Sequence, residues 1–151
     1  MRRIGFGLLV LLVSVSLARG AGQKPVKPSA SDKCPVCGMF VAKYPDFVAE
    51  VVFKDGTAAV FDGAKDMFKY YLHLKKYAPA RGYGDIGSIY VTDYYSLELI
   101  DGSTAWYVVG SDVFGPMGRE LIPFAKEADA REFMKDHWAN PCCGSRISMP
   151  S

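Results

Sequence analysis

The chain has 151 residues, half of them hydrophobic and 23% charged, enough for one compact body or two small ones; a disordered tail, a multispan membrane protein and a large multidomain enzyme are excluded. Its formal charge of +2 is uneven. Arg2, Arg3 and Arg19 are three of the 18 basic residues and lie in an amino-terminal stretch without Asp or Glu, which leaves 15 basic against 16 acidic residues for the rest. With no Lys/Arg cluster, the chain lacks the electrostatic footprint that nucleic acid requires.

In chain order, Arg2 and Arg3 precede an apolar run from Ile4 to Leu17, and Ala18-Arg19-Gly20 offers small residues before Ala21. This is the pattern of a secretory signal peptide over residues 1–20. A membrane anchor would need about 18 or more apolar residues, and Gly5, Gly7, Ser14 and Ser16 interrupt this run. No Cys directly follows it, so no lipid anchor is expected. Residues 21–33, with Pro25, Pro28, Ser29 and Ser31, read as a flexible, extended tether.

Phe47 to Phe53 and Thr57 to Phe61 are β-prone runs around Lys54-Asp55-Gly56, which predicts a hairpin. Asp62 can cap a helix whose apolar face carries Ala64, Met67, Phe68, Tyr71 and Leu72. Pro79 to Gly87 reads as a loop and Ser88 to Thr92 as a strand. The order then repeats: Ala105 to Val109 and Glu120 to Phe124 are β-prone, and Ala130, Phe133, Met134, His137 and Trp138 hold the same helical offsets. A degenerate duplication follows, predicting an α+β protein of two halves packed as one compact body, with helices on antiparallel strands. The expected divisions are 34–95 for the first half with its metal-site loop, 96–138 for the second, and 139–151 for a carboxyl-terminal tail.

Export places Cys34, Cys37, Cys142 and Cys143 in an oxidising compartment, where paired disulfides are the ordinary outcome. The densest chemical signal is Cys34-Pro35-Val36-Cys37-Gly38-Met39, three sulfurs within one turn's reach. Thiolate and thioether together form a soft donor set that favours Cu(I) over Zn(II), Mg(II) or Ca(II). Zinc completed by Cys142 and Cys143, a redox C-x-x-C, and Met39 as an ordinary core residue remain open at this point. A second cluster spans Ser111 to Glu120, where Met117 lies in a Gly-Pro-Met-Gly loop; an exposed thioether and a loop-anchoring hydrophobe are both compatible with it. His73 is expected in solvent and His137 as a satisfied histidine on the helix stripe. Asp62, Asp66, Asp85 and Asp93 read as cap, helix-start and turn residues. No constellation for nucleophilic or phosphoryl chemistry is present, so no enzyme is expected.

At Cys37-Gly38-Met39, Phe61-Asp62-Gly63-Ala64-Lys65-Asp66-Met67, Val91-Thr92-Asp93-Tyr94-Tyr95 and Gly115-Pro116-Met117-Gly118-Arg119-Glu120-Leu121-Ile122-Pro123-Phe124, the chain resembles the NosL family over about residues 33 to 138. The resemblance implies two related ββαβ halves and an exported, periplasmic Cu(I) metallochaperone. Its partners would be apo nitrous oxide reductase and the membrane copper-assembly transporter serving that enzyme. It also implies Cys37, Met39 and Met117 as metal ligands, to which Cys34 adds a second thiolate. The alternatives are a periplasmic C-x-x-C thiol oxidoreductase and a zinc-stabilised structural or interaction module.

Overall fold

β1 (Ala49–Phe53) and β2 (Ala58–Phe61) form the expected hairpin, with Ala49 opposite Phe61 and Val52 opposite Ala58. Gly56, at φ 84°, supplies the left-handed turn between them. The computed structural model describes residues 23–137 and the backbone of 145–146. The signal-peptide reading, Trp138, Cys142 and Cys143 therefore lie outside the described residues.

All five residues of β1 are buried, so the strand lacks the alternation of a half-solvated one. It is central in a sheet of order β2-β1-β3-β4, where β3 is Ile86–Thr92 and β4 is Leu99–Asp101. The first sheet thus reaches past residue 95 to Asp101. Residues 23–33 do not hang free as a tether. The Tyr90 hydroxyl donates to the Gln23 carbonyl at 2.6 Å, and the Val26 N–H donates to Glu50 Oε2 at 2.8 Å. Proline restricts this segment, and those two bonds dock it on the sheet.

Helix α1 (Ala64–Leu72) follows β2 and is continued by the short α2 (Leu74–Tyr77). Ala64, Met67, Phe68 and Tyr71 are buried as their spacing predicts, whereas Leu72 is 62% exposed. Asp66 and Tyr70 are buried as well. The wider buried face has a tertiary cause, because α1 packs on β1 and β2 and also on β6 (Gly118–Phe124) of the second half.

The second sheet has the order β6-β5-β7, with β5 spanning Trp106–Gly115 and β7 Ser145–Arg146. Helix α3 (Glu127–Asp136) lies between β6 and β7 in sequence. In both sheets a hairpin is followed by helix and then by a strand that returns to the free side of the first hairpin strand: β3 beside β1, and β7 beside β5. This is ββαβ twice. The tail reading of 139–151 missed β7, whose two residues are too few to leave a hydrophobic pattern. The loop reading of Ser111 to Glu120 is also corrected. Both strands run on to a tight turn at Pro116-Met117, and a register shift between Val109 and Phe114 absorbs Gly110 at φ 82°.

β5 feeds two cores by strand alternation. Tyr107 joins the first, edge-on to Phe68 at 5.0 Å, while Val108 joins Ile122, Phe124, Ala130 and Phe133 in the second. Between the halves, Asp93 Oδ2 accepts the Ala125 N–H at 2.6 Å, and the Tyr94 N–H donates to the Pro123 carbonyl at 3.0 Å. The Asp93 Oδ1 atom binds the Tyr95 and Ser96 N–H groups, as a turn aspartate should.

Candidate metal centre

The Cys-Pro-Val-Cys segment is closed by its own backbone. The Gly38 N–H donates to the Cys34 carbonyl and the Cys34 N–H to the Met39 carbonyl, each at 2.9 Å. Gly38 sits at φ 80°, a region that favours glycine, so the chain turns sharply between Cys37 and Met39. Val36 packs against the core and pulls the loop down onto the start of α1.

There the two thiols meet two carboxylates. Cys37 Sγ donates to Asp62 Oδ1 at 3.2 Å, and Cys34 Sγ to Asp66 Oδ2 at 3.5 Å. One ligand atom from each of Cys34, Cys37, Asp62 and Asp66 lies within 4.8 Å of all the others. Cys34, Asp62 and Asp66 are buried and Cys37 is half-buried. Asp62 Oδ2 is buried with no hydrogen-bond partner, an arrangement that costs free energy unless a cation or water meets it. Both cysteines are free thiols.

Burial pushes the Cys34 thiol up to about 11, against the stabilising N–H groups of Cys37 and Val36. Burial also raises Cys37 far above the ordinary thiol range, with Cys34, Asp62 and Asp66 adding to the effect against the Met39 N–H. The metal-free pair is therefore held protonated. A thiol oxidoreductase needs the opposite, a thiolate of lowered pKa.

Asp66 lies in the first turn of α1, as a helix-start residue should, but Asp62 is not the cap. Gly63 is the N-cap of α1 and no side-chain cap hydrogen bond is made. The signal that was available is the pair of aspartates around the helix start, Asp62 just ahead of the N-cap and Asp66 in the first turn. Asp85 behaves as read, its carboxylate accepting the Gly82 N–H.

Met39 is half-buried, with its carbonyl in the loop's closing bond. Met117 is 47% exposed at the β5–β6 turn, which favours the exposed thioether over the loop anchor. That turn lies against the start of α1: Lys65 Nζ donates to the carbonyls of Met117 at 2.8 Å and Arg119 at 2.6 Å. Glu120 completes the junction, its Oε1 accepting the Lys65 N–H at 2.6 Å. Burial raises the Glu120 carboxyl, opposed by the N–H groups of Leu121 and Lys65. His137 is satisfied away from this cluster, bonded to Asp112 at 2.8 Å and stacked on Phe133. His73 is exposed.

Fold and site together define a small α+β protein with a buried cluster of sulfur and carboxylate donors, the composition of a metal-binding protein. The family model described as NosL matches residues 25–139, and the chain belongs to that family. It is similar to the copper-binding lipoprotein NosL of Stutzerimonas stutzeri, 31% identical over 147 residues, covering 91% of this chain and 77% of that one. The crystal structure of the copper chaperone NosL from Shewanella denitrificans has the same fold, with a TM-score of 0.70 at 21% identity over 85% of this chain and 98% of that one.

Proposed function

We propose that this chain is an exported Cu(I) carrier that holds the ion through Cys37, Met39 and Met117, with Cys34 as a further thiolate, and passes it on by ligand exchange. The observation that carries the reading is the pair of free thiols gathered with Asp62 and Asp66 at the start of α1. Family membership supports it, since the relatives above are described as a copper-binding lipoprotein and a copper chaperone. Cu(I) selects sulfur among these donors. In the metal-free protein the carboxylates accept from the thiols and orient them, and they are the nearby bases that can take up the protons that Cu(I) displaces.

Transfer needs an open side. Cys37 is half-buried and Met117 half-exposed, so an incoming ligand can reach the ion while Cys34 stays covered. The cargo is delivered in the periplasm to apo nitrous oxide reductase through its membrane copper-assembly transporter. The chain's role is carriage without catalysis.

Zinc is the second reading, favoured by the two carboxylates within 4.8 Å of the thiols. Anaerobic titration of the reduced protein against a calibrated chelator should show about one equivalent of Cu(I), bound in preference to Zn(II). Stoichiometric Zn(II) that survives a Cu(I) challenge would overturn the carrier reading.

A further inference from the structure

The ligands proposed above come from both halves, so something must hold the Pro116-Met117 turn beside the Cys37 loop. A surface lysine ordinarily leaves its ammonium in water on a flexible stem. Lys65 is instead fixed at both ends. Its N–H is held by Glu120 Oε1 at 2.6 Å, and its ammonium donates to the Met117 and Arg119 carbonyls, one on each side of Gly118. Gly63 allows Glu120 to come this close: a Cβ there would collide with the Glu120 carboxylate.

In sequence Lys65 lies between the two aspartates that accept from the thiols. Asp62 accepts from Cys37 and Asp66 from Cys34. Arg119 offers a contrast, since its guanidinium bonds the Ser111 carbonyl at 3.2 Å and lies over Phe114, all within the same hairpin. Arg119 stiffens the hairpin; Lys65 ties it to α1.

From this geometry we infer that Lys65 is a positioning residue of the metal centre, holding the Met117 thioether against the cysteine loop. The inference rests on the Cu(I) reading above. Without the two carbonyl contacts the hairpin keeps its ladder and the Glu120 bond to the Lys65 N–H, but its turn is released from the start of α1, so the thioether should leave the coordination sphere while the thiols remain.

The test is a double-mutant cycle on the full mature chain with Lys65→Met, Met117→Ala and both together. Cu(I) affinity is read by chelator competition, and sulfur coordination by X-ray absorption at the copper edge. Lys65→Met should weaken Cu(I) binding about tenfold, the low end for loss of a residue supporting a metal ligand, and remove one sulfur from the coordination sphere. In the Met117→Ala background it should have no further effect on either, and Lys65→Arg should restore both. Unchanged affinity and sulfur number in Lys65→Met overturn the inference, as does an equal loss with and without Met117. A Lys65→Met chain that fails to fold overturns it too, by making the residue structural. Wild-type protein that binds no Cu(I) overturns the carrier reading itself, a result distinct from wild-type binding that ignores Lys65.

Discussion

A sulfur atom contributes to a metal site only in the ionisation state its surroundings permit. The Cys34 and Cys37 thiols are held protonated by burial, so Cu(I) must displace their protons. Apparent Cu(I) affinity should therefore rise as pH is raised from about 6 to 9, with protons released on binding; a flat profile in a chelator competition series would show that neither thiol is a ligand. Met117 tests exposure against chemistry. Because it is 47% exposed, Met117→Ala should change metal-free stability by no more than about 0.5 kcal/mol in urea unfolding while weakening Cu(I) binding. A buried methionine would instead cost roughly 2 to 5 kcal/mol. At this scale the sequence was legible for sulfur and less so for oxygen. Cys34, Cys37, Met39 and Met117 stand out by residue type, whereas an aspartate ahead of a helix is most often a cap. Only tertiary packing of the cysteine loop on α1 gave Asp62 and Asp66 another partner.

Among the elements, α1 does most to assemble the site, and its two apposed neighbours explain which parts of it could be read beforehand. The i, i+3, i+4 spacing found its existence and its main face, but periodicity describes one buried face and α1 has contacts on two sides. Tyr70 is buried against Phe61 of β2 and Tyr77 of α2, and Asp66 beneath the Cys34 thiol, contacts that no local pattern announces. The strands show the same limit, since β5 and β6 were recognised in their apolar halves and missed where polar and glycine residues carry them to the turn. The approach of α1 to β6 depends on Gly63. Gly63→Ala would drive a methyl group into the Glu120 carboxylate and should cost about 1 to 3 kcal/mol in metal-free stability, measured by denaturant unfolding. A loss within a few tenths would show that Glu120 can withdraw without consequence.

For the whole molecule, the duplication was visible from the recurring strand-strand-helix order, while the join between halves was not, because it rests on backbone groups that any residue carries. Asp93 is one side chain at that join, in addition to the Lys65 and Glu120 contacts at α1. Burial opposes its charge, but the N–H groups of Ser96, Ala125 and Tyr95 and the Ser96 hydroxyl outweigh burial and hold the carboxyl below its ordinary 3.8. Its contribution is therefore full above the unfolded value and disappears as pH falls through the lower folded one. Asp93→Asn cannot accept on both sides, and should cost about 1 to 3 kcal/mol at neutral pH, with the deficit shrinking in acid. A deficit independent of pH would assign the cost to shape and not to charge. The two-residue strand β7 closes the second sheet, pairing Arg146 with Trp106 and Ser145 with Tyr107. The family match ends at residue 139, ahead of it. A chain shortened to that point would lose the two-residue ladder over Trp106 and Tyr107, lengthening the edge of β5 on which a second molecule can pair. Such a truncation should self-associate in sedimentation at concentrations where the full chain does not, so that these last paired residues serve as a guard against aggregation.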